Sequence, residues 1–181
     1  MNVPTRNRLS SLVEQLGEPP KVYLAGKIRK DCWRHLLLNG LRDHKWKNGV
    51  LKQEEFTYVG PFFVGCSHGC YHHPNKHGAI NGCWPDYDQT REEVVLLCTT
   101  AIDKADLFFC YIDKLDCFGT LVEIGYANAK GKRIVIAFAP DIVSHDNNEF
   151  WFPSEMAYKI HFNICLCQLP RLFEKTLREL P

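Results

Sequence analysis

The sequence predicts a single α/β domain with a doubly wound parallel sheet, and three observations carry that prediction. Apolar runs of strand length recur at 21–26 (KVYLAG), 106–112 (DLFFCYI) and 132–138 (KRIVIAF). They lack polar alternation, which suits strands buried on both faces. Segments with helical spacing of apolar residues stand at 87–104, 120–130 and 169–180, and strands alternating with helices imply a parallel sheet covered on both sides. The chain has 181 residues, enough for one domain with a sizeable core. About five strands in this arrangement suit a flavodoxin-like or Rossmann-like order.

The elements follow in order. A short peripheral helix is expected at 8–16, ended by Gly17 and Pro19-Pro20. The first strand, 21–26, runs into a glycine turn at Gly26. Residues 28–44 place Ile28, Trp33, Leu36, Leu37 and Leu41 at loose helical spacing, and a Lys/Gly loop follows at 45–53. The aromatic and β-branched stretch 56–64 reads as strand. Residues 65–85, rich in Gly, His, Cys and Asn, lack periodicity and read as a long loop inserted in the single domain 1–181. Long loops in compact domains are usually functional. The helix at 87–104 directs Val94, Val95, Leu97, Cys98 and Ile102 to the core, and in the helix at 120–130 Gly125 and Ala127 allow close packing on the sheet. A short helix near 153–158, a last strand at 161–166 and a last helix at 169–180 complete the reading.

Composition excludes several classes. With 45% hydrophobic and 12% aromatic residues the chain is too apolar to be disordered. Its net charge of +1 directs it to neither nucleic acid nor an acidic membrane surface. No run reaches about 18 apolar residues, as a membrane span requires, and the first 20 residues hold no signal-peptide core. A cytoplasmic location and a small-molecule partner are expected. The nine cysteines are an odd number in a chain of this size, which argues for reduced thiols over a disulfide framework. Cys98, Cys110, Cys165 and Cys167 sit in apolar runs, where cysteine packs as a small hydrophobe.

Ligands of open α/β sheets bind beyond the carboxyl ends of the strands. Three segments meet that address: the turn after the first strand (Gly26, Lys27, Ile28, Arg29), the turn 113–120, and the loop 65–85. The second is the most informative. Gly119-Thr120 opens a helix whose free amides suit an anion or a sugar hydroxyl, and Glu123 stands one turn further on the same face. Thr-x-x-Glu alone equally describes a capping box with no chemistry.

The longer stretch decides between these readings. The run 106–112, Asp116, Gly119-Thr120, Glu123-Ile124-Gly125-Tyr126-Ala127 and Gly131-Lys132 stand in order, and VYLAGKIR forms the first strand and turn. This pattern resembles the nucleoside 2-deoxyribosyltransferase family and its relatives that hydrolyse nucleoside monophosphates, over a core of about 21–140. The resemblance implies that Glu123 is the nucleophile that attacks the anomeric carbon, next to an oxocarbenium-like transition state. A second acid should assist the leaving base; Asp116 is the first candidate, with Asp113 and Asp86 behind it. Asp86 and Asp88 are expected near base or sugar, and Tyr23 is expected to orient the glutamate. No cofactor is needed. The resemblance also implies a dimer or larger oligomer, in which Asn128 and the Trp151-Phe152-Pro153 segment serve a neighbour's site.

Two segments leave alternatives open. The basic turn Lys27-Ile28-Arg29-Lys30 is either a 5′-phosphate site or a solvated turn, and Lys27 stands near the serine usual in hydrolases of this kind. In the loop 65–85, Cys66, Cys70, His72 and Cys83 supply four donors for a structural zinc, though no standard zinc spacing fits. A lid whose histidines touch substrate and an ordinary polar loop are the other readings. The leading function is N-glycosidic bond cleavage of a nucleoside or nucleotide, by transfer or hydrolysis. NAD glycohydrolase-type chemistry and a non-catalytic nucleotide-binding module with a zinc loop are the alternatives.

Overall fold

Six strands lie side by side in the order β2-β3-β1-β4-β5-β6 in a computed structural model that describes residues 18–28, 32–41, 49–61, 91–142 and 149–181. The strands are β1 (Lys21–Ala25), β2 (Leu51–Lys52), β3 (Thr57–Gly60), β4 (Leu107–Ile112), β5 (Arg133–Phe138) and β6 (Lys159–His161). The helices are α1 (Arg91–Lys104), α2 (Phe118–Ala129), α3 (Trp151–Glu155) and α4 (Leu169–Arg178), with a 3₁₀ turn at Trp33–Leu36.

β3, β1, β4, β5 and β6 are all parallel. They form the five-stranded flavodoxin-like sheet the sequence predicts. The two-residue β2 adds a sixth, antiparallel edge strand through Leu51↔Tyr58 and Lys52↔Thr57. Two residues are too few to leave a periodic signal, and the sequence reading places them in a loop. β1 and β4 are locked at their start by reciprocal bonds: Lys21 N–H donates to the Asp106 carboxylate at 2.8 Å, and Asp106 N–H donates to the Lys21 carbonyl at 2.7 Å.

The core falls into two clusters because alternate residues of each strand point to opposite faces. On one face Val22, Leu24, Phe109, Tyr111 and Val135 pack with Trp33 and with Leu169, Phe173 and Leu177 of α4. On the other, Tyr23, Ala25, Phe108, Cys110 and Ile136 pack with Ile102 of α1 and with Ile124 and Ala127 of α2. The near-continuous apolar runs of β1, β4 and β5 follow from this double burial.

The structure corrects several expectations. The last strand is Lys159–His161, not 161–166, because Asn163 takes the left-handed conformation (φ 57°) and turns the chain out of the sheet. Just beyond that turn Cys165 and Cys167, two residues apart, form a disulfide with Cα–Cα 5.4 Å, and neither is a buried core residue. Residues 32–41 hold only the 3₁₀ turn, which ends at its C-cap Leu37, and no α-helix; Gly40 beyond it is left-handed (φ 77°). On α1, Ile102 is buried and Cys98 half-buried, whereas Val95 and Leu97 are exposed. Their positions lie in the helix's first two turns, before it settles on the sheet. Ala127 is buried as expected, whereas a Cβ on Gly125 would meet nothing within 4 Å among the described residues. The short helix covers Trp151–Glu155, and the expected helix 8–16 lies outside the described residues.

Candidate active site

The strand order sets the place of the site. After β1 the chain crosses to β3 on one side, and after β4 it crosses to β5 on the other. The carboxyl ends of β1 and β4 therefore flank the switch point, where such sheets open a crevice. Tyr23 comes from β1, the turn 26–28 follows it, and α2 rises from the turn after β4.

α2 begins at Phe118, two residues earlier than the sequence suggests, and its N-cap Cys117 makes no side-chain cap bond. Thr120 is thus the third helical residue, buried, and not a cap. Glu123 lies a full turn inside and makes no capping box. Its Oε1 accepts a 2.6 Å hydrogen bond from the Tyr23 hydroxyl, a length typical of a charge-assisted O–H···O contact. Burial pushes the Glu123 carboxyl up to about 7, while the Tyr23 hydrogen bond and the Arg34 charge pull it down. Burial, reinforced by the Glu123 charge, holds the Tyr23 phenol well above its ordinary value. The Tyr23 ring lies flat on Phe108, centroids 5.4 Å apart. On its other side Gly60, with φ 154°, leaves no room: a Cβ there would lie 3.1 Å from the ring and 3.2 Å from Ala101 of α1.

The first turn is held from below. Gly26 has φ 148°, and a Cβ on it would fall 2.5 Å from the Tyr111 carbonyl of β4, so only glycine fits. Arg34 is fully buried under this turn. Its Nε donates to the Leu24 carbonyl at 2.8 Å and its Nη2 to the Gly26 carbonyl at 2.9 Å. A carbonyl left without such a donor in a buried place costs about 1–3 kcal/mol. From the top of the turn, Lys27 Nζ donates to the Asp116 carboxylate at 2.8 Å and to its carbonyl at 3.1 Å. This bridge ties the first turn to the turn before α2. The Lys27 hydrogen bond holds the exposed Asp116 carboxyl below its ordinary value, so Asp116 is ionised at neutral pH.

The structure therefore brings together Tyr23, Gly26, Lys27, Asp116, Gly119, Thr120 and Glu123 around the ends of β1 and β4. Asn128 stands at the opposite, carboxyl end of α2, exposed, where its carbonyl accepts from Gly131 N–H at 2.9 Å. Arg29, Asp86, Asp88 and the four proposed zinc ligands Cys66, Cys70, His72 and Cys83 lie outside the described residues. Among the described residues no group of three or more His, Cys, Asp or Glu side chains could hold a metal ion, and no helix is long and apolar enough to cross a membrane.

Two residues at the site escaped the sequence reading. Cys98, read as a plain core residue, neighbours Tyr23 and Glu123, and burial followed by the Glu123 charge pushes its thiol up to about 11. Arg34 carried a signal: it shares a spacing with Leu38 and Leu41, and all three are buried. An arginine in the phase of two core leucines marks a buried charge that needs partners.

The family model described as nucleoside 2-deoxyribosyltransferase-like matches residues 19–141 of the chain. No curated protein matches it. Among solved structures, a Clostridium botulinum CMP N-glycosidase, BcmB, aligns with 46% of this chain and 73% of its own at 20% identity and a TM-score of 0.38. A Sir2 structure with a deacetylated p53 peptide and 3′-O-acetyl ADP-ribose aligns with 93% of this chain and 98% of its own at 10% identity and a TM-score of 0.38. Structural likenesses this distant carry no functional argument.

Proposed function

The chain belongs to the nucleoside 2-deoxyribosyltransferase-like family, and we propose that it cleaves the N-glycosidic bond of a nucleoside or nucleotide with Glu123 as the nucleophile. The observation that carries this reading is the Tyr23–Glu123 pair at the switch point: a desolvated carboxyl near 7, held in one orientation by a 2.6 Å hydrogen bond. A structural glutamate gains nothing from such a position, whereas a nucleophile needs low hydration and fixed aim.

In this reading the Tyr23 hydroxyl occupies Oε1, and Oε2 attacks the anomeric carbon. The carbon–nitrogen bond breaks as the ester forms, and the base departs with its electron pair and takes up a proton. Water or a second base then attacks the same carbon and returns the carboxylate. The ionised carboxylate also stabilises the positive charge that develops on the sugar. The first-turn amides of Phe118, Gly119 and Thr120 have no intrahelical acceptor by helix geometry, and among the described residues nothing comes within 4 Å of where a Cβ on Gly119 would stand. They suit a sugar hydroxyl or a phosphate oxygen. Asp116, held ionised by Lys27, serves here to fix that lysine and not to protonate the base.

The test is incubation with a panel of nucleosides and nucleoside monophosphates, with and without a second free base, read by chromatography. The reading expects release of one base class, with free sugar marking hydrolysis and a new nucleoside marking transfer. No base release from any member of the panel overturns it.

A further inference from the structure

Cys165 and Cys167 take no part in the glycosyl chemistry. They form a disulfide across Leu166, with Cα atoms 5.4 Å apart. A cross-link stabilises chiefly by closing a long loop of the unfolded chain. A loop with one intervening residue offers little of that, so the bond is a poor brace. Other contacts hold the chain around it. Ile164 N–H donates to the carbonyl of Phe138, the last residue of β5, at 2.9 Å, and the Ile164 carbonyl accepts from the Tyr111 hydroxyl of β4 at 2.8 Å. Cys165 N–H donates to Gln168 Oε1 and Gln168 N–H to the Cys165 carbonyl, both at 3.0 Å. None of these bonds involves sulfur, so the turn keeps the two thiols side by side when the disulfide opens. Cys167 is exposed and Cys165 half-buried, whereas Cys32, Cys110 and Cys117 are buried. Cys167 also lies two positions before Leu169, the first residue of α4, where free helix amides favour a thiolate.

We propose that Cys165–Cys167 is a thiol–disulfide exchange site, opened by an external dithiol and closed again by oxidation. An exposed bond that adds little to stability is the kind that exchanges, in contrast to a buried structural one. The attacking thiolate reaches the exposed Cys167 Sγ. The Cys165–Cys167 bond breaks as the mixed disulfide forms, and Cys165 Sγ leaves with the electron pair and takes up a proton. The second thiolate of the reductant then attacks its own sulfur in the mixed disulfide and releases the Cys167 thiol. Two electrons and two protons pass to the pair, and the dithiol becomes a disulfide. A dithiol suits the step because its second thiol competes with Cys165, which the turn holds next to the mixed disulfide and which would otherwise expel the reductant. None of this depends on Glu123.

The test uses the full wild-type chain, purified in air and kept folded. Thiols are alkylated with N-ethylmaleimide before and after dithiothreitol, and the tryptic peptide 160–171, which holds both cysteines and no other, is weighed. Untreated protein should give that peptide without label. After dithiothreitol it should carry two labels, and transfer to oxidised dithiothreitol before alkylation should return it to none. A second arm replaces dithiothreitol by reduced thioredoxin, a protein dithiol: two labels there extend the reductant to proteins, and two labels with dithiothreitol alone restrict it to small dithiols. Two labels in untreated protein overturn the proposal, as does a peptide that dithiothreitol leaves unlabelled until denaturant is added. The double variant Cys165→Ser, Cys167→Ser should melt within about 4 °C of the oxidised wild type. A larger fall, or a double variant that does not fold, makes the bond a structural brace and overturns the proposal equally.

Discussion

The hydroxyl of Tyr23 and the carboxyl of Glu123 set each other's properties. Burial raises Glu123, and the 2.6 Å bond from Tyr23 moderates the rise. With Glu123 proposed as the nucleophile, which must be ionised to attack, kcat/KM should fall as pH drops through about 7. Tyr23→Phe removes a donor to the charged form, so the acid limb should move up by about one pH unit, with activity at neutral pH down about tenfold or more. A pH–rate profile checks this, and an unmoved limb in the variant contradicts the role given to Tyr23. Both residues were singled out through the family resemblance, Glu123 by its ordered surroundings and Tyr23 by its place in the first strand, and the structure pairs them by a hydrogen bond. Arg34 was missed because its partners are carbonyls at the end of β1, and which carbonyls a side chain reaches is decided by tertiary folding.

The elements that carry the site are the two turns at the ends of β1 and β4. Their strands were readable as uninterrupted apolar runs, since burial on both faces leaves that mark. The start of α2 was misplaced by two residues, because Thr-x-x-Glu imitates a capping box while the helix starts uncapped at Phe118. β2 and the end of β6 were lost for a different reason: short edge strands are fixed by their partner and by one left-handed residue, Asn163, and not by periodicity. Elements on the far face should affect stability without touching the chemistry. Phe173 of α4 meets Phe56 and Phe109 edge-on at 5.1 Å each. Phe173→Ala should cost about 3–5 kcal/mol in denaturant unfolding and leave the acid limb of the pH–rate profile in place. A shifted limb would show that the two faces are coupled.

The family match over residues 19–141 covers β1 to the end of β5, the part of the molecule that builds the switch point. The sequence foresaw five parallel strands and two covered faces, because these follow from hydrophobic pattern and chain connectivity. It assigned Asn128 to a neighbouring subunit's site through the family pattern, and in this chain Asn128 stands exposed at the carboxyl end of α2. The fold bears a cost for its partly buried Glu123 carboxyl that can be read without substrate. Glu123 moves from an ordinary 4.5 to about 7 on folding, so the folded state holds its proton more tightly. Stability is therefore lost as pH rises between those values, and the full penalty, about 3 kcal/mol at most, is present above the upper one. Glu123→Gln should be more stable than wild type at pH about 8.5 and no more stable at about 4, by denaturant unfolding at both. A pH-independent difference contradicts the shift.

The central claim is that Glu123 performs the glycosyl chemistry, and base release by Glu123→Ala tests it most directly, beside wild type and at equal folded fraction. The account predicts release of base by wild type and a loss of about a thousandfold or more in the variant, as expected when a covalent nucleophile is removed. Wild-type rates in Glu123→Ala would contradict it.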